Sequence, residues 1–193
     1  MIHPGRYMAA IVTAAIAAGV DFHTATPAER IERDGVDRVV HTSRGAIRAG
    51  AVLIATSGYT DGLVPWIAQR VMPIGSYIIA TEPLDAATAL AVSPQVLAVA
   101  ASNIVLDYFR LSADRRMLFG GRCNYSNRDP ADLGAALRPR LVEIFPQLSN
   151  ARIDYAWGGR IDIVLTRVPA IGRLEPNVYY LQGYCGHGVN ATH

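Results

Sequence analysis

Two clusters of small residues in this chain have the composition of ligand-contacting turns: Ala55-Thr56-Ser57-Gly58 and Gly183-Tyr184-Cys185-Gly186-His187-Gly188. Each follows an apolar run, over residues 51–56 and 178–182, and so reads as a loop at the carboxyl end of a strand. Ligands of open α/β sheets bind at such ends, because small residues let backbone N–H groups approach a phosphate or a ring. His187, between two glycines, is a candidate catalytic base set against the reading as a plain turn residue. Cys185, His187 and His193 lack a fourth ligand at zinc-like spacing, so no metal site is expected.

Composition narrows the chemistry further. All 18 basic residues are Arg. Schiff-base formation, a P-loop lysine and a lysine general base are therefore excluded from these 193 residues. No Ser–His–Asp order and no paired carboxylates stand out. A net charge of +2 gives no reason to expect a nucleic-acid partner. With 51% hydrophobic and 18% charged residues the chain is no disordered tail. Cys123 and Cys185 make no disulfide framework and read as reduced thiols of a cytoplasmic protein. The longest apolar run, residues 8–20, falls short of the roughly 20 residues of a membrane span, so no membrane partner is expected. Ile11, Ala14, Ala15 and Ala18 are helically spaced within it and Gly19 ends it, which favours a helix over a cleaved leader.

The elements that must carry the two clusters follow from periodicity. An alanine-rich helix is predicted over 5–18, its small face suited to packing on a sheet, and a short strand over 20–25. Residues 28–33, 37–42 and 46–48 alternate around Asp34-Gly35 and Arg44-Gly45 and predict a meander. Residues 51–56 are apolar on both faces, as in a buried parallel strand. Strands are expected over 73–82, 105–111, 117–121, 153–156, 161–166 and 178–182. A short helix is expected over 84–92. Leu133, Leu137, Leu141, Ile144 and Phe145 share one face of a helix over 132–145, interrupted by Pro139 and stopped by Pro146.

Several of these segments also resemble one family. Gly186-His187-Gly188, preceded by residues 178–183 and by Pro169-Ala170-Ile171-Gly172, resembles the C-terminal flavin loop of the D-amino acid oxidase-like FAD-dependent oxidoreductases. Asp107-Tyr108-Phe109-Arg110-Leu111, Leu118-Phe119-Gly120-Gly121 and Ile153-Asp154-Tyr155-Ala156-Trp157-Gly158-Gly159 are similar to its γ-glutamylputrescine branch, as are residues 80–84 and 145–148. The resemblance runs along essentially the whole chain. It implies an α/β plus α+β fold, a partial Rossmann-like FAD-binding domain (1–64 and 152–193) with an inserted antiparallel-sheet substrate domain (65–151). It implies FAD as cofactor, an amine or amino acid as substrate, and hydride transfer from the amine-bearing carbon to flavin, with oxygen as the final acceptor.

Carried over residue by residue, the resemblance places Ala28 at the adenine and Thr56, Ser57 and Gly58 over the FAD phosphates. It places Trp157 and Gly159 beside the isoalloxazine, and Gly183, Gly186, His187, Gly188 and Val189 around its pyrimidine end. Tyr108 and Arg110 fall on the strand that roofs the substrate, and Arg160 lies one residue from the position of a carboxylate-binding arginine. His187 and Asn190 are the candidates nearest the reacting atoms; Asn190 stands where sarcosine oxidases carry a lysine. Cys123 and Cys185 do not coincide with covalent flavin cysteines. The family's N-terminal GxGxxG unit and long C-terminal helix have no counterpart in these residues, which read as an interior portion of a flavoenzyme. On that basis the 193 residues alone are expected to hold FAD weakly and to be inactive, with self-association or a complementary N-terminal polypeptide covering apolar strand faces. The alternative is a non-catalytic binding or interaction module derived from the substrate domain.

Overall fold

Turn chemistry and alternation shape the first part of the chain. The computed structural model describes residues 2–95, 97–102, 106–126 and 128–192, with the backbone alone at Arg122 and Cys123. The chain divides into two compact bodies, Met1–Val52 with Glu175–Asn177, and Leu53–Leu174 with Val178–His193.

In the first body, helix α1 (Pro4–Ala17) starts on a proline, whose missing N–H costs nothing at that position, and His3 Nδ1 accepts the Arg6 N–H at 3.3 Å. Gly19 ends it with φ +87°. α1 buries none of its side chains. Strands β1 (Ala28–Asp34), β2 (Asp37–Thr42) and β3 (Gly45–Ala49) form the expected antiparallel meander, with Asp34 opposite Asp37 and Thr42 opposite Gly45. Arg38 is 1% exposed. Its guanidinium donates to the carbonyls of Asp37 and Pro176 and lies 3.6 Å from the Glu175 carboxylate. The strand expected over 20–25 is not formed: Thr24 and Ala25 make a turn, Ala25 has φ +51°, and no strand among the described residues pairs with this stretch.

The second body begins where β4 (Val52–Ile54) leads into a single 3₁₀ turn, Ser57–Tyr59, and a short helix α2 (Pro65–Ala68). Then follow β5 (Met72–Pro83), α3 (Ala86–Val92), β6 (Val99–Ala100), β7 (Tyr108–Leu111), β8 (Arg116–Asn124), α4 (Leu133–Ile144) and β9 (Ile153–Ile163). Strands β10 (Ala170–Glu175) and β11 (Val178–Gln182) and the four-residue helix α5 (Gly188–Ala191) complete it. The main sheet has five strands in the order β6-β7-β8-β5-β9, all its pairs antiparallel. A second sheet has the order β10-β11-β4.

One face of the five-stranded sheet carries the core. Tyr77, Ile79, Leu111, Met117 and Phe119 from the strands meet Ala89 and Val92 of α3 and Leu137 and Leu141 of α4. Asp132 caps α4 by accepting the Ala135 N–H at 2.9 Å. Pro139 does lie inside this helix, on its exposed side. A bulge in the β5–β8 pairing between Ala80 and Pro83 is closed by the buried Thr81 hydroxyl, which accepts the Met117 N–H at 3.0 Å.

Four strand expectations need correction. The run over 51–56 shortens to the three residues of β4, with only Ile54 buried and Leu53 56% exposed, because β4 is an edge strand paired on one side. The strands expected over 153–156 and 161–166 are one strand, β9, which passes through Gly158 and Gly159 and stops at Ile163. The strand expected over 105–111 is described from Tyr108, Val105 lying outside the described residues. Strands β6 and β10 were not anticipated.

At the edge of the sheet Asp154 accepts from Arg152 at 2.7 Å and from Arg116 at 2.5 Å. The hydrogen bond from Arg152, then that from Arg116, hold its carboxyl below the ordinary 3.8. A pKa lowered by folding gives stability that is present above the unfolded value and lost as pH falls through the folded one. Asp154→Asn is therefore expected to destabilise the protein at neutral pH, with the difference from wild type shrinking as pH falls below the ordinary 3.8 and through the lowered folded value, where the wild-type carboxyl protonates. Urea unfolding across that range measures it; a difference that does not change with pH would refute the assignment.

Candidate functional site

The opposite face of the five-stranded sheet is left open by α3 and α4. Residues directly paired across antiparallel strands project to the same side. Trp157 pairs with Ile78, Ile78 with Gly120 and Gly120 with Tyr108, one row across four strands. Tyr155, Ala80, Leu118 and Arg110 form the next row, and Gly159 pairs with Ser76 beside the first. Trp157 is 44% and Tyr155 58% exposed, while Tyr108 and Arg110 are half-buried. Tyr108 lies flat because Gly120 has no side chain: a Cβ there would stand 2.0 Å from the Tyr108 ring. The Tyr108 hydroxyl is 3.1 Å from Ser76 Oγ. The outcome is a shallow aromatic floor with a guanidinium at one side. Such a surface stacks planar or apolar groups and orients a charged one.

β9 then passes from this floor to both small-residue turns. The Arg160 N–H donates to the Tyr59 hydroxyl at 2.8 Å. Its guanidinium lies 5.5 Å from the centre of the Tyr59 ring and 3.2 Å from an Asp61 carboxylate oxygen. Gly58 is pressed against the strand, since a Cβ there would stand 2.9 Å from Arg160 Cβ and 3.0 Å from the Ile161 carbonyl. Ser57, before it, has φ +50°. Thr56 Oγ1 is 2.6 Å from Thr60 Oγ1, and the Gln182 side-chain amide donates to these two oxygens at 3.0 and 3.4 Å. Thr60 and Gln182 are 3% and 1% exposed, and Gln182 Oε1 has no hydrogen-bond partner among the described residues.

Two residues after Arg160 the same strand fixes the second turn. Asp162, 2% exposed, accepts the Gly183 N–H through its carboxylate at 2.5 Å and the Cys185 N–H through its carbonyl at 3.1 Å. Gly183 has φ +77°, and a Cβ on it would stand 2.4 Å from Val164 Cγ1. Gly186 differs: with φ +86° it has no atom within 4 Å of where a Cβ would be. His187 is exposed, donates its N–H to the Tyr184 carbonyl at 2.8 Å and precedes α5, which holds Gly188, Val189 and Asn190. The N–H groups of Gly186, Gly188 and Val189 have no partner among the described residues.

The second body thus holds Thr56, Ser57, Gly58, Tyr108, Arg110, Trp157, Gly159, Arg160, Gly183, Gly186, His187, Gly188, Val189 and Asn190; Trp157, Gly159 and Arg160 lie on β9, and Gly58 and Gly183 lie against it. Ala28 opens β1 in the first body and is exposed. Sequence reasoning missed Tyr59, Thr60, Asp61, Asp162 and Gln182. Tyr59 to Asp61 had the signal of adjoining a small-residue turn; Asp162 and Gln182 had none, each reading as an ordinary polar strand position. Among the described residues no three His, Cys, Asp or Glu side chains gather as metal ligands, and His193 lies outside them. No helix is long and apolar enough to cross a membrane, again among the described residues.

Comparison with known proteins adds to this geometry. The sequence pattern of the DAO family, FAD dependent oxidoreductase, matches residues 1–193. Gamma-glutamylputrescine oxidoreductase of Escherichia coli is 44% identical over 156 residues, which are 80% of this chain and 37% of that protein. Probable oxidoreductase OrdL of Haemophilus influenzae is 37% identical over 196 residues, 99% of this chain and 44% of that protein. The chain therefore spans less than half the length of either relative. Among solved structures, glycine oxidase from Geobacillus kaustophilus superposes with a TM-score of 0.71 at 21% identity, covering 91% of this chain and 47% of that one. L-proline dehydrogenase from P. horikoshii gives 0.75 at 19%, covering 96% and 51%. These two show the fold: a mixed α/β arrangement with several antiparallel sheets, shared with part of each oxidoreductase.

Proposed function

Because the chain belongs to the DAO family of FAD dependent oxidoreductases, we propose that it carries part of an FAD-dependent amine or amino-acid oxidase, γ-glutamylputrescine-like in its substrate. The observation that carries this reading is the convergence on β9 of an open aromatic sheet face and two turns of small residues. When bound, the flavin supplies acceptance of a hydride from the amine-bearing carbon and return of the electrons to oxygen.

The residues present fit such a group. Gly186 leaves open space where a side chain would stand, and unpartnered backbone donors at Gly186, Gly188 and Val189 suit carbonyl oxygens of a ring. Gly58 and Gly183 serve the chain's own packing against Arg160 and Val164, which keeps both turns tight. In this reading 1–64 with 152–193 contribute to a Rossmann-like FAD-binding domain and 65–151 to the substrate domain. Ala28 contacts the adenine, Thr56, Ser57 and Gly58 the phosphates, and Trp157, Gly159, Gly183 and the residues from Gly186 to Val189 the ring. Tyr108 and Arg110 orient the substrate from the open face, with Arg160, already paired to Asp61, at its border. His187 and Asn190 lie nearest the reacting atoms. An unprotonated amine held in line needs orientation more than a strong base, and a flat, pinned Tyr108 provides that.

The test is peroxide formation by a full-length version of the protein, supplied with FAD, with polyamines, their γ-glutamyl derivatives and small amino acids; the 193 residues alone are expected to stay inactive. Amine-dependent peroxide is the expected result. No flavin bound and no turnover of any of these would return the chain to the reading as a non-catalytic binding module that lacks the cofactor.

A further inference from the structure

Gln182 occupies a place that neither the sheet nor the loop chemistry requires. It is the last residue of β11, 1% exposed, and its amide reaches Thr56 and Thr60 on either side of the Ser57–Tyr59 turn. The next residue, Gly183, is the one anchored to Asp162. One buried side chain and the adjoining peptide thus join two turns lying far apart in sequence. Buried hydrogen-bonded networks of this kind rigidify what they connect, because a partner lost in the interior is not replaced by water. Ser57 and Cys185 have positive φ, which a non-glycine residue keeps only when its surroundings hold it.

We propose that Gln182 is a positioning residue that locks the Thr56–Thr60 turn to the Gly183–Gly188 loop, so that the two open and close as one unit and FAD bound at either is felt at both. The inference rests on the flavin reading only for its last clause. Its unpartnered Oε1 sets the chemistry of the test: a glutamic acid at this position, while neutral, still offers one donor to the threonines and one free oxygen, whereas the carboxylate offers no donor.

Backbone hydrogen exchange and FAD binding followed by flavin fluorescence, compared among wild type, Gln182→Glu and Gln182→Leu, provide the test. Gln182→Leu is expected to raise exchange about tenfold in residues 56–60 and 183–188 together, with β5 and β8 unchanged. Gln182→Glu is expected to match wild type near pH 5, where burial keeps the carboxyl neutral, and to approach Gln182→Leu near pH 8. FAD affinity should fall in step, by about tenfold. Where the leucine variant does not fold, the pH response of the glutamate variant decides alone. Faster exchange in one loop only, or a glutamate variant that tracks wild type at both pH values, overturns the coupling. Joint loosening of both loops in a full-length version that binds no FAD upholds the coupling and instead overturns the flavin reading.

Discussion

Asp162→Ala is expected to free the Gly183–His187 loop while the five-stranded sheet stays folded. The carboxylate is the acceptor of the buried Gly183 N–H, and alanine removes that acceptor. An orphaned buried donor costs about 1–3 kcal/mol. The same loss, transferred to a loop that grips a cofactor, weakens FAD by about 10- to 100-fold. Asp162→Asn keeps a carbonyl oxygen at the same place and is expected to retain most of the stability and affinity. Urea unfolding and flavin fluorescence read the two effects. An alanine variant as stable as wild type, with unchanged affinity, would show that the loop is held by something other than β9.

A second expected result tests the two-faced character of the sheet itself. Phe119 is fully buried between β8 and the helices, and Phe119→Ala is expected to cost about 3–5 kcal/mol. Against the roughly 5–15 kcal/mol that holds ordinary domains folded, that is a large share. Leu118, the neighbouring residue, points to the open face and is half-buried, so Leu118→Ala is expected to cost about 1 kcal/mol. The midpoints of urea unfolding should separate accordingly. Equal losses at the two positions would mean that the face bearing Tyr108, Arg110 and Trp157 is a second core and not a surface open to a substrate.

Local signals were easiest to read where the chemistry is local. Asp34-Gly35 and Arg44-Gly45 demand turns by themselves, and the meander followed. Asp132, the spacing of Leu133, Leu137 and Leu141, and Pro146 delimited α4 almost to the residue. Gly158 and Gly159 misled, because paired glycines ordinarily weaken a strand. Their reason lies elsewhere in the chain: a Cβ at Gly158 would stand 2.3 Å from the buried Tyr77 ring. Gly172 hid β10 in the same way, with the Tyr180 hydroxyl lying 2.6 Å from where its Cβ would be. Residues 20–25, rich in β-formers, had no partner strand to pair with. At the candidate site the glycines, Tyr108 and Trp157 could be named from motif order, whereas Asp162 and Gln182 acquire their roles only from contacts across long stretches of chain.

The placement of β9 also orders events in time. The meander joins neighbouring segments through two-residue turns, and such pairings close quickly. β9 pairs with β5 from Met72 opposite Ile163 to Thr81 opposite Ile153, so the sheet gains its last strand by closing a long loop. During synthesis β5, β7 and β8 emerge well before β9. Until it docks, β5 presents an unpaired edge, and neither the aromatic floor nor the anchored turns exist. The species most prone to aggregate during refolding is therefore expected to be this four-stranded intermediate, and the appearance of the site should coincide with its disappearance.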